Sequence, residues 1–395
     1  MRVRLIGAGC SSLQFTQEET QAVKEAQLII GAPRVLDSLP ECKAEKLALY
    51  KPDEICSALL RRMPGEACVA LSGDSGFYSG ARGLVPILRE NGISFEILPG
   101  ISSVQTLSAR LGESWQDWRL CSAHGVFCDP VAEIMSGRRC FFLCGGESSP
   151  SRICSELTLA GLGALGVFVG ERLACSDEKI LRGTAAEFAG QEFAALSVLL
   201  TDAAPVAPAA APGIPDEEFM RGSVPMTKRE VRAVIASMLR LKSSDICWDI
   251  GAGTGSVSVE LALHSRGVWS LERDPEALKL INLNREKFRA WNMRIIKADA
   301  PDGLSGLPAP DAVFIGGSGG KLGAIVDAVF AANSGARVCI SAISLETLSS
   351  ACGILRRHGC AAEVTQLAVS RARPAGEHNL LVAQNPVFLI AGGLQ

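Results

Sequence analysis

The residues whose types and spacing most clearly indicate chemistry are three glycines and two acids in the second half of the chain. Gly251, Gly253 and Gly255 follow an apolar run typical of a strand, and Glu272 and Asp299 follow the next two such runs. Glycines after a strand let the backbone approach a ligand. A carboxylate at a strand end can accept hydrogen bonds from ribose hydroxyls or an adenine amine. This pattern predicts a site for a ligand with an adenosyl group.

The spacing of these glycines argues against a pyrophosphate ligand. The dinucleotide pattern G-x-G-x-x-G would need glycine at position 256, where the chain has Ser256. S-adenosylmethionine, which has an adenosyl group and no pyrophosphate, fits better. On these residues alone an NAD-dependent dehydrogenase, an RNA methyltransferase and a non-enzymatic sensor of an adenosyl ligand stay open.

The second half of the chain alternates apolar strand patterns with helical patterns, which predicts a parallel sheet with crossover helices. Thr227 is predicted to be the N-cap of the helix TKREVRAVIASMLRL. The last two apolar runs, AEVTQLAV and NPVFLIAG, have no helical pattern between them. We expect them to pair as an antiparallel hairpin at one edge.

The first half is also α/β, and most of its predicted strands end at a glycine. A break near residues 112–118 is expected to divide it into two lobes. The alanine- and proline-rich stretch of residues 201–218 is predicted to be an extended tether. We therefore expect one domain over 1–202, a linker over 203–213 and a second domain over 214–395.

Composition excludes several classes of protein. A formal net charge of -3 gives no global attraction to nucleic acid or an anionic membrane. No apolar run approaches the roughly 18 residues of a membrane helix, and the opening MRVRLIGAGC has too short an apolar segment for a signal. We expect a cytoplasmic protein. Four histidines and no C-x-x-C predict no metal site, and Cys140 and Cys144 are expected to be small buried residues.

Six stretches of the second half make the family resemblance specific. They are VPMTKREVR, WDIGAGTGSVSVE, ERDPEAL, DAPDGL, DAVFIGGSGG and NPVFLI, within residues 224–390. This half resembles the decarboxylating methyltransferase half of the precorrin-6Y methyltransferases of cobalamin biosynthesis. The resemblance implies a Rossmann-like methyltransferase sheet with an antiparallel edge hairpin. It also implies that the methyl donor is lined by Thr227, Gly251, Ala252, Gly253, Thr254, Gly255, Glu272, Asp299 and Ala300.

The first half resembles the tetrapyrrole methylases, whose donor lies between two α/β lobes. The likeness rests on GAGCSS at 7–12, LSGDSGFYSGAR at 71–82, PGISSVQTLSARLG at 99–112 and SAHG at 122–125. It implies donor contacts from Gly7, Gly9, Gly73, Asp74, Ser102 and Ser103. Cys10 and Ser11 replace the last two residues of the family's G-x-G-P-G loop, and Ser75 replaces the proline of S-G-D-P. These departures leave open a degenerate first half beside a single active second half.

The resemblance of both halves implies a bifunctional enzyme with one S-adenosylmethionine site per half. It would methylate two meso carbons of a precorrin or cobalt-precorrin and remove carbon dioxide from a ring acetate. Because that substrate class carries many carboxylates, arginines should recognise it locally. Arg371 and Arg373 are the candidates in the second half, with Arg232 behind them, and His124 is a candidate acid-base group in the first. We expect a homo-oligomer that binds neither nucleic acid nor membranes.

Overall fold

The computed structural model describes residues 1–11, 14–125, 127–207 and 211–393. The chain divides into two compact units: unit 1 is residues 1–134, 138–158 and 163–204, and unit 2 is residues 135–137, 159–162 and 205–395. The boundaries 1–202, 203–213 and 214–395 stay predictions. Ser12 and residues 208–210 of the expected linker lie outside the described ranges. Within those ranges no helix has the length and apolarity needed to cross a bilayer.

The first lobe of unit 1 is a five-stranded parallel sheet with the order β3-β2-β4-β1-β5. Its strands are β1 (Arg2–Gly7), β2 (Leu28–Gly31), β3 (Glu45–Ala48), β4 (Glu66–Leu71) and β5 (Phe95–Leu98). Its helices are α1 (Gln17–Glu25), α2 (Pro33–Asp37), α3 (Pro52–Arg62), α4 (Ala81–Glu90) and α5 (Ser103–Leu111). Because all five strands are parallel, the loops after β1, β4 and β5 meet at one edge.

The second lobe of unit 1 is a mixed sheet with the order β6-β7-β10-β8-β9, in which only β6 and β7 are parallel. Its strands are β6 (Arg119–Ser122), β7 (Cys140–Leu143), β8 (Gly166–Glu171), β9 (Lys179–Thr184) and β10 (Ser197–Thr201). Its helices are α6 (Pro130–Ile134), α7 (Pro150–Leu157), which a π-helical turn Thr158–Leu162 follows, and α8 (Ala185–Phe188). The chain changes sheet between α5 and β6, so the predicted division into two lobes is confirmed.

Unit 2 is built on a seven-stranded sheet. Its seven strands are β11 (Ile246–Ile250), β12 (Gly267–Glu272), β13 (Met293–Lys297), β14 (Ala312–Ile315), β15 (Arg337–Ala342), β16 (Glu363–Leu367) and β19 (Val387–Gly392). The strands β17 (Ser370–Ala375) and β18 (His378–Ala383) form a separate two-stranded hairpin. Its helices are α9 (Arg229–Met238), α10 (Ser256–Ala262), α11 (Pro275–Lys287), α12 (Leu322–Ala332) and α13 (Leu345–Arg357), with 3-10 turns at Asp216–Glu218 and Asp302–Leu304. The strand order is β13-β12-β11-β14-β15-β19-β16, with the first five strands parallel.

Successive residues of these strands pack on opposite faces of the sheet. Trp248 and Val313 belong to one apolar core, whereas Cys247 and Phe314 belong to the other. A strand that is covered on both faces needs a mainly apolar sequence, which β14 has throughout and β11 has except at Asp249. The predicted α/β class is therefore confirmed for this half of the chain.

The predicted antiparallel pairing of the last two apolar runs at one edge of the sheet is confirmed, because the edge strand β16 pairs antiparallel with β19. The sequence did not predict β17 and β18, which form a separate two-stranded hairpin between them, and β19 lies between β15 and β16. One further expectation for unit 2 needs correction. Thr227 is not the N-cap of α9: that position is Lys228, which makes no side-chain cap. The Arg229 N–H donates instead to the carboxylate of Asp216, at 2.9 Å.

Candidate functional site

The glycine loop of unit 2 lies at the point where the strand order reverses. β12 flanks β11 on one side and β14 on the other, and ligands of open α/β sheets bind at such a point. Gly251, Gly253 and Gly255 have φ angles of 73°, 56° and 76°, a region that favours glycine. A Cβ atom on Gly251 would lie 2.7 Å from backbone atoms of Gly317 in the next loop. Glycine is therefore needed where the two loops pack backbone to backbone.

Glu272, the last residue of β12, holds this loop from the side. Its Oε2 atom accepts the Gly253 N–H at 2.9 Å, and its Oε1 atom accepts the N–H groups of Arg273 and Asp274 at 2.7 and 3.0 Å. A carboxylate offers about four acceptor positions. Backbone N–H groups occupy three of these positions, so about one acceptor position, on Oε2, remains for a ligand hydroxyl.

A cavity of about 210 Å³ lies at this edge of the sheet. Four of the predicted residues line it, namely Gly251, Glu272, Asp299 and Ala300. Asp299 also binds Lys321, whose Nζ atom lies 2.8 Å from Oδ2, and the Arg273 guanidinium lies 3.6 Å from the same oxygen. The hydrogen bond from Lys321 holds the pKa of Asp299 below its ordinary value, so that Asp299 is a charged acceptor.

The other predicted donor residues of unit 2 do not line this cavity. Ala252 and Thr254 are buried, and a Cβ atom on Gly255 would point at Ile281 of α11. Their positions indicate that they shape and support the loop. Thr227 is half-buried, and its carbonyl oxygen accepts a hydrogen bond from a buried arginine.

Asp249 is a functional candidate that the sequence reasoning missed. It is fully buried two residues before Gly251, and its Oδ2 atom accepts a hydrogen bond from Ser258. Burial raises the pKa of Asp249 to about 7. Its Oδ1 atom makes no hydrogen bond to any group in the described ranges. An acid inside an apolar strand, just before a glycine loop, was the available signal.

Arg232 is a structural residue, which corrects its assignment as a substrate group. Its side chain is fully buried, and it pairs with Asp216 at 2.9 Å and with Glu260 at 3.3 Å. The Glu260 carboxylate also accepts the N–H groups of Gly213 and Ile214 at 3.1 and 2.9 Å. These bonds fix the beginning of unit 2 onto α9 and α10, so Arg232 is unavailable to a ligand.

Arg371 and Arg373 lie in β17 but have different surroundings. Arg371 pairs with Glu230 at 2.7 Å and with Asp216 at 3.1 Å, so its guanidinium is already neutralised. Arg371 holds the pKa of Glu230 below its ordinary value. Arg373 is exposed and makes no ion pair or hydrogen bond within the described part of the chain. The two arginines were predicted to act together, whereas only Arg373 is free to bind a carboxylate.

In unit 1 three glycine loops meet backbone to backbone. Gly9 and Gly73 exchange two N–H to carbonyl bonds of 3.1 and 2.9 Å. A Cβ atom on Gly7 would lie 2.5 Å from the Gly100 nitrogen. The Asp74 carboxylate fastens the same point, because it accepts the N–H groups of Gly76 at 2.9 Å and Gly100 at 3.3 Å.

A cavity of about 440 Å³ adjoins these loops in unit 1. Five predicted residues line it, namely Gly73, Asp74, Ser102, Ser103 and His124, whereas Gly7 and Gly9 lie behind Gly73 and support it. Ser102 is also the N-cap of α5, in a capping box with Gln105. His124 comes from the second lobe, with its Nδ1 atom 3.3 Å from the Cys144 carbonyl oxygen, and a Cβ atom on Gly145 would collide with its ring.

The departures from the family pattern are accommodated without blocking this cavity. Ser11 and Ser75 are buried, and Cys10 lies on the cavity wall with its N–H donated to Gln14. Burial raises the pKa of Cys10, which therefore stays a neutral thiol near pH 7. Sequence reasoning missed Arg34 and Arg172, which both line the cavity. Arg34 follows a strand that ends in glycine, and this was its only signal.

The comparisons with known proteins cover both halves of the chain. A family model described as "Tetrapyrrole (Corrin/Porphyrin) Methylases" matches residues 2–189, and one described as "Precorrin methyltransferase domain" matches residues 218–391. A probable cobalt-precorrin-6B C(15)-methyltransferase (decarboxylating) of Pyrobaculum calidifontis is 42% identical over 188 residues, which are 46% of this chain and 96% of that protein. The chain belongs to the family of decarboxylating precorrin-6Y methyltransferases. The resemblance seen in the sequence is thus confirmed.

Members of this family use S-adenosylmethionine as methyl donor. Another relative, the precorrin-6Y C(5,15)-methyltransferase [decarboxylating] of a Sinorhizobium species, is 29% identical over 371 residues, which are 91% of this chain and 88% of that protein. A crystal structure of precorrin-6y C5,15-methyltransferase from Geobacter metallireducens GS-15 is 41% identical and covers 46% of this chain and 98% of that chain, with a TM-score of 0.45.

Proposed function

We propose that the chain is a bifunctional methyltransferase that acts on a precorrin-6Y-type tetrapyrrole in cobalamin biosynthesis. Unit 1 methylates one meso carbon, at the C5 position, and unit 2 methylates a second one, at C15, with loss of carbon dioxide from a ring acetate. The observation that carries this proposal is that the C5,15-methylating relative aligns with 91% of the chain, and hence with both units. We also propose that the chain forms a homo-oligomer and that it does not bind nucleic acid. The net charge of -3 supports the second of these points.

The residues of unit 2 fit an adenosyl donor. Gly251 lines the cavity, Gly253 donates its N–H to Glu272, and Glu272 retains an acceptor position for a ribose hydroxyl. Asp299, which Lys321 keeps charged, can accept a hydrogen bond from an adenine amine. We assign Thr227, Ala252, Thr254, Gly255 and Ala300 to the shape of this site. S-adenosylmethionine would supply an activated methyl group there, so the protein need not form a covalent bond to the substrate.

The residues of unit 1 fit a second donor. Gly73, Asp74, Ser102 and Ser103 present backbone and hydroxyl groups to a cavity about twice as large as that of unit 2, and Gly7 and Gly9 hold Gly73 in place. The larger volume, with a few polar groups in a mainly apolar lining, suits a donor together with part of a macrocycle. Ser75 and Cys10 replace family residues without filling the cavity, which supports an active first half.

The chain's contribution to chemistry is to orient groups and exclude water. Arg373 would bind a peripheral carboxylate of the substrate in unit 2, while the conjugated ring accepts the electron pair that carbon dioxide leaves behind. Arg371 would hold β17 in position, because its own charge is already paired with Glu230 and Asp216. His124 would accept or hold a proton beside the macrocycle in unit 1.

Mass spectrometry of the products tests this proposal. The full chain, incubated with the precorrin-6Y precursor and S-adenosylmethionine, should give a product with two methyl groups gained and one carbon dioxide lost. His124→Ala should reduce methylation by unit 1, and Arg373→Gln should reduce decarboxylation by unit 2. A single methyl gain in every condition would contradict bifunctionality and indicate a degenerate first half.

A second measurement addresses the number of donor sites. Calorimetric titration of the full chain with S-adenosylhomocysteine should give a stoichiometry near two, one equivalent for each unit. A stoichiometry near one would overturn the proposal of two sites. Light scattering of the same sample tests the homo-oligomer, and a monomer would remove that part.

A further inference from the structure

Two large apolar side chains stand in solvent at the end of β15. Ile343 is 80% exposed and Leu345 is 69% exposed, although both flank Ser344, the N-cap of α13. Local structure does not require them, because the cap is made by the serine side chain and the Thr347 N–H. Apolar side chains that share one short exposed segment more often mark a binding surface than isolated ones do.

The sheet places this segment beside the proposed donor site. β15 is the parallel neighbour of β14, with Ile315 in register with Ile340. The loops after the two strands therefore leave the same edge of the sheet. The loop after β14 contributes Gly317, Ser318 and Gly319 to the cavity that Glu272 also lines. Ile343 and Leu345 follow the adjacent strand, one position further along that edge.

The hairpin of β17 and β18 leaves the sheet from this same edge. Ala342 is in register with Phe388, and Leu367 with Val387, so the end of β16 and the start of β19 lie next to the end of β15. Arg371 and Arg373 are two residues apart in β17 and hence lie on one face of the hairpin. The ion pair of Arg371 with Glu230 turns that face toward α9, and the unpaired Arg373 lies on the same face.

We propose that Ile343 and Leu345 form an apolar platform that binds the flat face of the tetrapyrrole in unit 2, with Arg373 pairing to a peripheral carboxylate. The inference rests on the proposed function and names the residues that would select its substrate. A tetrapyrrole of this class has an apolar ring face and a rim of carboxylates, which matches apolar side chains and a free cation at the same edge of the sheet. The apolar contacts remove ring surface from water, and the arginine fixes the rotation of the ring.

The test uses the full chain and the precorrin-6Y precursor labelled with carbon-13 in the ring acetate. Ile343→Ser and Leu345→Ser should each raise the KM for release of labelled carbon dioxide by about tenfold, since each removes most of one apolar contact. The double variant should raise it further. Leu283→Ser, a change of the same kind at an exposed position of α11, should leave this KM unchanged. Donor affinity and the methylation by unit 1 should not change in any variant.

Three results would overturn the platform. An unchanged KM in the double variant would remove it, provided that the wild-type chain releases carbon dioxide. A change of oligomeric state in the same variant would show instead that Ile343 and Leu345 lie between copies of the chain. A loss of donor affinity would place them in the donor site. No release of carbon dioxide by the wild-type chain would refute the proposed function itself.

Discussion

Replacing Glu272 by alanine should weaken donor binding to unit 2 and leave unit 1 unaffected. The change removes three hydrogen bonds that the carboxylate accepts from backbone N–H groups, one of them from Gly253. It also removes the remaining acceptor position for a ribose hydroxyl. A hydrogen bond to a charged group is worth about 1.5 to 3 kcal/mol, and partial exposure of Glu272 lowers that value. We therefore expect a loss of about 1 to 3 kcal/mol, a factor of about 5 to 150 in Kd.

Isothermal titration of the full chain with S-adenosylhomocysteine measures this effect. The wild-type chain should bind about two equivalents tightly, whereas Glu272→Ala should keep one tight site and show one weakened site. Glu276→Ala is the matched control, because Glu276 carries the same charge at the start of α11 and, among the residues that the structure describes, its carboxylate bonds only to the exposed Ser223. Thermal unfolding of each variant separates loss of binding from loss of the fold.

Two outcomes would refute the reasoning about Glu272. Equal weakening at both sites would mean that the substitution acts through general destabilisation of the chain. Unchanged binding at both sites, with Glu276→Ala behaving in the same way, would remove Glu272 from the donor site.

Three further substitutions test other parts of the two sites. The pKa of Asp249 is higher in the folded chain than in the unfolded chain, so its contribution to the stability of unit 2 should be fully present below pH 4 and be lost as the pH rises toward about 7. Asp249→Asn should remove this pH dependence of the free energy of unfolding, as measured by chemical denaturation. Lys321→Met should raise the pKa of Asp299, so that donor affinity of unit 2, present above that pKa, is lost at a higher pH during acidification than in the wild type. Gly100→Ala should abolish donor binding to unit 1, because the new Cβ would collide with the Gly7 carbonyl, whereas Gly353→Ala on α13, with open space around it, should bind normally.

The position of the glycine loop in unit 2 was predictable because its signals are local. Strand pattern, glycine spacing and the acids at strand ends all depend on residues that are close in sequence. The cap of α9 was not predictable, because Asp216 reaches the Arg229 N–H from thirteen positions away and makes a local cap by Thr227 unnecessary. A carboxylate from a distant position that replaces a local hydroxyl cap cannot be recognised from the spacing of residues near the helix.

The roles of the two arginines of β17 also depended on the fold. Nothing in RARPAG distinguishes Arg371 from Arg373, because the difference arises from Glu230 and Asp216, which other elements bring to Arg371. The hairpin itself was missed because Pro374 argues against a strand interior. Here Pro374 pairs with Asn379 in an isolated two-stranded ribbon, where an edge position tolerates proline. The partly exposed strand β9 leaves a similarly weak signal in the sequence, since KILRGT has no sustained apolar run.

The bonds that hold residues 213–216 to Arg232 and Glu260 limit how genes for this family can be divided. A gene that encodes unit 2 alone should start at or before codon 213, because a later start deletes N–H groups that the buried Glu260 accepts, and a start after codon 216 also deletes the carboxylate that pairs with the buried Arg232. Loss of one partner of a buried ion pair costs about 3 to 5 kcal/mol, a large fraction of the roughly 5 to 15 kcal/mol by which a typical domain is stable. The tolerated breakpoint between the two coding regions is therefore confined to the few alanine and proline codons that precede it.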